Sequence, residues 1–206
     1  MKYSLFLLFF SVSSYAQYTP VTDVESFRKR LSVENRLFTT IECDFTQYKH
    51  LIIMDEPLVS YGKFYVQQDD KVRLDYLKPS PYLIVLNGEK VKIATDGKSN
   101  VYDLSSYQIA SMMKSMLSSC LLGDFSGVGR DYLMSVSEDH SVYLVIMEPL
   151  NRRIKRNLQK IEITFDKKNL SVNQLLVHES SGDYTRHVFT NKKFNTSLPD
   201  ELFDLQ

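Results

Sequence analysis

Tryptophan is missing altogether, and the 206 residues hold only two cysteines, seven glycines and six prolines. Two cysteines cannot staple a fold of this size, so a disulfide scaffold is excluded. So little Gly and Pro excludes a collagen-like chain or a low-complexity linker. A surplus of charge is missing too, with 25 basic residues against 25 acidic ones. A neutral balance gives no general electrostatic reason to bind nucleic acid or an anionic surface. Motifs of chemistry are equally scarce. His50, His140, His178 and His187 lie far apart, in no metal-ligand spacing. There is no GxSxG elbow and no glycine-rich phosphate loop. Ser111-Met112-Met113-Lys114 and Ser26-Phe27-Arg28-Lys29 both fit an SxxK pattern, but neither has a KTG companion. The expectation is a protein that is not an enzyme and holds no metal or cofactor.

What is present is aromatic: 13 Tyr and 12 Phe, residues that favour strands. The hydrophobic fraction of 43% and charged fraction of 24% are those of a globular chain. The N-terminus reads differently. Lys2 precedes the apolar run Leu5-Phe6-Leu7-Leu8-Phe9-Phe10, and Ser14-Tyr15-Ala16 places small residues at a cleavage site. This pattern predicts a secretory signal over 1–16, cleaved after Ala16, with a single domain over 17–206. No Cys follows the small residues, so no lipid attachment is expected there. The run is far shorter than the roughly 20 residues a membrane span needs.

Along 17–206, Thr22-Asp23-Val24-Glu25 fits a capping box, and Val24, Phe27 and Leu31 follow at helical spacing. This predicts an amphipathic helix over 22–35. Ile41, Cys43 and Phe45 then alternate with polar residues, the period of a strand. Further strands are predicted over Leu58–Gln67, Lys71–Leu77, Tyr82–Leu86, Glu89–Thr95 and Val101–Tyr102. Asn87-Gly88 and Asp96-Gly97 supply hairpin turns. Residues 105–122 carry no Gly or Pro, and Ile109, Met112, Met113, Met116, Leu117, Cys120 and Leu121 share one helical face. Strands resume over Tyr132–Ser137, Ser141–Met147, Leu158–Phe165, Leu170–Glu179 and Tyr184–Phe189. Short strands joined by short turns predict an antiparallel sheet. About ten strands must curl, so the expected fold is mainly β: a strongly curved antiparallel sheet, an incomplete barrel, covered by a helical lid.

Three features bear on function. The methionine-rich face is either ordinary core or an adaptable wall for irregular apolar ligands. Cys43 and Cys120 either pair in an oxidising compartment or serve as two buried thiols. Arg152, Arg153, Lys155 and Arg156 crowd one loop, either a solvated turn or a docking patch for an acidic partner or lipid phosphates.

Several local motifs, in order, resemble the LolA family of periplasmic outer-membrane lipoprotein carriers. Phe45-Thr46-Gln47 resembles the family's FTQ, and Gly62-Lys63-Phe64 its glycine-led second strand. Lys71-Val72-Arg73-Leu74-Asp75-Tyr76 resembles the stretch often written K-L-R-W-E-Y, followed by Pro79. Tyr82-Leu83-Ile84-Val85-Leu86-Asn87-Gly88 resembles the apolar strand and its turn. Gly182-Asp183-Tyr184, Phe189, Phe194-Asn195 and Leu198-Pro199-Asp200-Glu201-Leu202-Phe203 resemble the closing pattern. The resemblance spans about 22–205.

It implies a monomeric, periplasmic chaperone taking acylated lipoproteins from an inner-membrane ABC transporter to an outer-membrane acceptor, with no role in binding nucleic acid. The alternatives are a same-fold carrier of another lipid or glycolipid, or a structural or partner-binding envelope protein. The expected lipid-binding wall of the sheet is Ile41, Cys43, Phe45, Leu74, Tyr76, Leu83 and Val85. The lid wall is Met112, Met113, Met116 and Leu117. Two departures stand out: Leu74 occupies the family's usual Trp position, and Gln68-Asp69 the Arg-Pro position whose arginine helps latch the lid. Arg73 is the candidate to replace that latch.

Overall fold

A computed structural model describes residues 18–68, 71–104 and 131–206. They form β1 (Thr19–Pro20), α1 (Val24–Asn35), β2 (Thr40–His50), β3 (Leu58–Gln67), β4 (Lys71–Lys78), β5 (Tyr82–Asn87), β6 (Lys90–Thr95) and β7 (Lys98–Asp103). After 131 come β8 (Tyr132–Glu138), β9 (Val142–Pro149), β10 (Leu158–Asp166), β11 (Val172–Glu179) and β12 (Tyr184–Phe194). A helical turn at Arg152–Lys155 and a 3-10 turn at Asp200–Phe203 complete the elements. The expected signal at 1–16 and the expected helix at 105–122 lie outside the described residues.

All twelve strands belong to one antiparallel sheet, in the order β1-β8-β9-β10-β11-β12-β2-β3-β4-β5-β6-β7. β12 returns beside β2, so the two runs of strands join in mid-sheet. β1 and β7 each pair on one side only, and the curved sheet is not closed. Twelve strands exceed the expected ten, partly because the two-residue β1 is too short to leave a pattern.

Local chemistry explains the element ends. The expected cap at Thr22 moves by one residue. Asp23 caps α1, its carboxylate accepting from the Ser26 amide at 2.9 Å. Asp96 and Gly97 both take positive φ, 49° and 75°, which fits the two-residue turn between β6 and β7.

One sheet face, the core face, carries two apolar clusters. Under α1, Phe27 and Leu31 pack on Val145, Ile161, Ile163 and Phe165 of β9 and β10. The second cluster lies on β2 to β6 and includes Cys43, Phe45, Phe64, Leu74, Tyr76 and Leu86. Phe189 of β12 packs against both and joins them.

The opposite face, the back face, holds the C-terminal segment. Lys71 Nζ meets Asp200 Oδ1 at 3.2 Å, Arg73 donates to the Leu202 carbonyl at 2.8 Å, and Asn87 donates to the Phe203 carbonyl at 3.1 Å. Lys92 Nζ donates to the Gln206 carbonyl. Phe203 and Val85 are both fully buried.

Candidate functional site

The apolar wall of β2 to β6 is set by strand pairing. Directly opposed residues of neighbouring strands share a face. Phe45 opposes Gly62, which opposes Tyr76, which opposes Tyr82. One step along, Cys43 opposes Phe64, Phe64 opposes Leu74, and Leu74 opposes Ile84. Gly62 is where a side chain could not fit: a Cβ there would lie 2.1 Å from the Asp75 carbonyl oxygen and 2.6 Å from the Phe45 ring. Without that Cβ, Phe45 leans over β3 and meets Tyr76 edge-on, with centroids 4.9 Å apart. Tyr76 in turn stacks on Tyr82 at 4.0 Å.

Polar groups enter this wall in two places. Gln47 Oε1 accepts from the Tyr76 hydroxyl at 2.7 Å and lies 3.0 Å from His187 Nε2. For both bonds to form, the imidazole proton sits on Nε2. That leaves Nδ1 buried with no partner. Burial pushes the His187 pKa down to about 4, so the ring is neutral. The second place is a small pocket, with room for about one water, where β2 and β3 meet β11 and β12. Ile41, Cys43, Phe64 and Phe189 supply much of its apolar lining, and Lys192 also lines it. Burial pushes the Cys43 thiol up to about 12, so it stays protonated and acts as a small apolar group.

The structure brings Ile41, Cys43, Phe45, Leu74 and Tyr76 together in the second cluster. Leu83 and Val85 are corrected. They oppose Asp75 and Arg73, so they sit on the back face, and Ile84 and Leu86 take the wall positions. The physical reason is register: a shift of one residue inverts a strand, and β5 is apolar on both faces. Arg73, the candidate lid latch, is placed by the same register. It too is on the back face, its Nε 2.8 Å from Asp75 and its guanidinium holding the Leu202 carbonyl. Gln68 bonds the carbonyls of Arg36 and Phe38, both at 3.3 Å, and so ties β3 to the chain after α1. Asp69, Met112, Met113, Met116, Leu117 and Cys120 lie outside the described residues. Cys43 is a free thiol. Arg152, Arg153, Lys155 and Arg156 are exposed around the helical turn, while Ile154 packs inward.

Sequence reasoning missed Gln47, His187 and Lys192. Gln47 and His187 were legible as inward positions, since they continue the alternation of Phe45 and of Phe189. It also missed the β2–β3 tip, where Ile52 and Ile53 are 75% and 87% exposed. Among the described residues, no group of three or more His, Cys, Asp or Glu is placed to hold a metal. No described helix is long and apolar enough to cross a membrane.

An unclosed, curved antiparallel sheet with an aromatic-rich apolar wall is the class of fold that the described residues define. The chain belongs to the LolA family: the family model for outer membrane lipoprotein carrier protein LolA matches residues 36–206. No curated protein matches the chain. Similar solved structures include the MucA/MucB complex of Pseudomonas aeruginosa, with a TM-score of 0.52 and 14% identity, covering 89% of this chain and 61% of that one. A DUF1329-family protein from Desulfovibrio piger has a TM-score of 0.51 and 12% identity, covering 87% and 96%. A LolA-superfamily protein from Nitrosomonas europaea has a TM-score of 0.46 and 11% identity, covering 86% and 97%. At these identities the structural likeness is one of fold.

Proposed function

We propose that this chain is a periplasmic chaperone for lipoproteins. It takes their acyl chains as they leave an inner-membrane ABC transporter and carries them to an outer-membrane acceptor. The observation that carries this reading is the continuous apolar wall of β2 to β6 in a chain of the lipoprotein-carrier family. Each buried CH₂ is worth roughly 0.8 kcal/mol, so long acyl chains do not cross water unshielded. A non-covalent wall binds such chains and can also release them. In this reading residues 1–16 direct export and are removed, and 105–122 cover the wall with Met112, Met113, Met116 and Leu117. The exposed cations at 152–156 face an acidic partner. No step needs a catalytic residue, metal or cofactor, and the carrier works as a monomer.

The test is native mass spectrometry on the protein purified from its own envelope. Acylated-protein adducts are expected. Lipid adducts without protein would turn the reading to a same-fold lipid carrier, and consistent absence of both would sink it. Met116→Asp should abolish uptake while the sheet stays folded, and unchanged uptake would remove 105–122 from the site.

A further inference from the structure

One end of the sheet gathers two exposed features of different character. There β2 runs into β3 through a tip at 51–57, β11 into β12 through a turn at 180–183, and β9 into β10 through the helical turn at Arg152–Lys155. Strand order and antiparallel pairing set these connections side by side at the same end. The first feature is apolar. Ile52 and Ile53 project from the tip with most of their surface exposed, and Met54 and Leu58 beside them are exposed too. The tip is tied to its neighbours. The Ile52 amide donates to Asp183 Oδ1 at 2.8 Å and the Met54 amide to the Leu51 carbonyl at 2.9 Å. A Cβ on Gly182 would lie 3.2 Å from Ile52 Cδ1, so the prong stands directly against the β11–β12 turn. Amides satisfied within the protein lower the cost of moving such a tip out of water.

The second feature is cationic. Arg152, Arg153, Lys155 and Arg156 are all exposed, and among the described residues none of them forms an ion pair. The Lys155 carbonyl accepts from Ser180 Oγ at 2.7 Å, and the Asn157 carbonyl from the Ser180 amide at 3.2 Å. Ser180 therefore fixes the basic turn beside the same β11–β12 turn that Ile52 touches. Leu150, exposed as well, lies two residues before the first cation. The exposed carboxylates Asp55 and Glu56 follow the prong on its β3 side and Glu179 precedes Ser180, so the positive field is centred on 152–156. Apolar side chains that enter hydrocarbon and cations that meet phosphate are the two signals that together hold a protein on an anionic bilayer. A projecting prong enters a fluid lipid surface without the preformed pocket that a protein partner would have to supply. Three of the four cations are arginines, whose planar fork matches phosphate oxygens.

We propose that this end of the sheet docks on the surface of an anionic phospholipid bilayer, with Ile52 and Ile53 entering the acyl boundary and Arg152, Arg153, Lys155 and Arg156 on the lipid phosphates. This goes beyond the carrier reading and holds whatever cargo the wall of β2 to β6 takes. The experiment is flotation of the purified protein with vesicles of phosphatidylcholine alone and of phosphatidylcholine mixed with phosphatidylglycerol. The wild type should bind the anionic vesicles about tenfold or more tighter, and added salt should weaken that binding. Arg152→Gln, Arg153→Gln, Lys155→Gln and Arg156→Gln combined should erase the preference. Ile52→Ser with Ile53→Ser should weaken binding to the anionic vesicles about tenfold. Thermal melts check that both variants stay folded. Because the chain has no tryptophan, Ile53→Trp places a single indole at the prong, and its emission should move to the blue on anionic vesicles. Leu37→Trp, exposed at the opposite end of β2, should not move. Equal binding to both vesicles, an unmoved Ile53→Trp emission or an equal response from Leu37→Trp overturns the docking. Absence of binding to any vesicle overturns it too and turns this surface to a protein partner. None of these outcomes touches the carrier reading, which uptake of acylated proteins tests separately.

Discussion

The cluster under α1 and the cluster on β2 to β6 share one sheet face but treat polar groups differently. Under α1, Leu31, Ile161, Ile163 and Phe165 are fully buried and close on a helix of the same chain. On β2 to β6 the wall includes the Tyr76–Gln47–His187 bonds, and at its margin a cavity holds the Lys192 amine. The first half is built to stay shut. The second takes a glutamine, a histidine and a lysine among its apolar residues and leaves a small pocket beside Phe64. One sheet face thereby carries a cluster covered by α1 and a second, aromatic-rich cluster on β2 to β6.

The comparison can be broken most forcefully at Phe165. Phe165→Ala should cost about 3–5 kcal/mol in chemical denaturation, with ligand uptake per folded molecule unchanged. Next is Gly62→Ala, where the added methyl meets backbone and the Phe45 ring. A loss of about 3 kcal/mol is expected, with the Phe45–Tyr76 contact disturbed, and a neutral result would show that β3 shifts freely. Phe64→Ala should cost less than Phe165→Ala, about 2–3 kcal/mol, because its neighbours already border space. It should also weaken lipid uptake. Equal losses at Phe64 and Phe165 would erase the distinction between the halves.

A smaller effect is set by pH. The His187 pKa is about 4 folded against 6.5 unperturbed. Between those values the unfolded chain binds the proton and the folded chain does not, so stability rises with pH. The contribution is complete above 6.5 and is lost as pH falls from there toward about 4. Denaturant midpoints at about pH 5 and about pH 7 should show this slope, and His187→Gln should flatten it. A slope unchanged in that variant would place the titration elsewhere. Least of all, Ile53→Ser at the exposed tip should change stability by no more than about 0.5 kcal/mol.

Much of the wall was legible because alternation is a local signal. Ile41, Cys43 and Phe45 point one way whatever their neighbours do, and Leu74 and Tyr76 follow the same rule. The helix stripe Val24, Phe27 and Leu31 was legible for the same reason and lies against the first cluster. β5 was not legible. Tyr82-Leu83-Ile84-Val85-Leu86 is apolar at every position, so it says strand without saying which side faces the core. β12 was legible only to Phe189. Beyond it a β-bulge shifts the alternation, and Asn191 is the sole local hint that the strand continues to Phe194.

By itself the sequence determined the short alternating strands, the turns between them, the helix stripe and the family motifs. All of these depend on neighbours within a few residues. Tertiary structure alone decided that Val85 and Arg73 belong to the back face with the C-terminal segment, and that Lys192 enters the cavity. Period two gives every strand two sides, and only the register against the adjoining strand assigns one of them to the core.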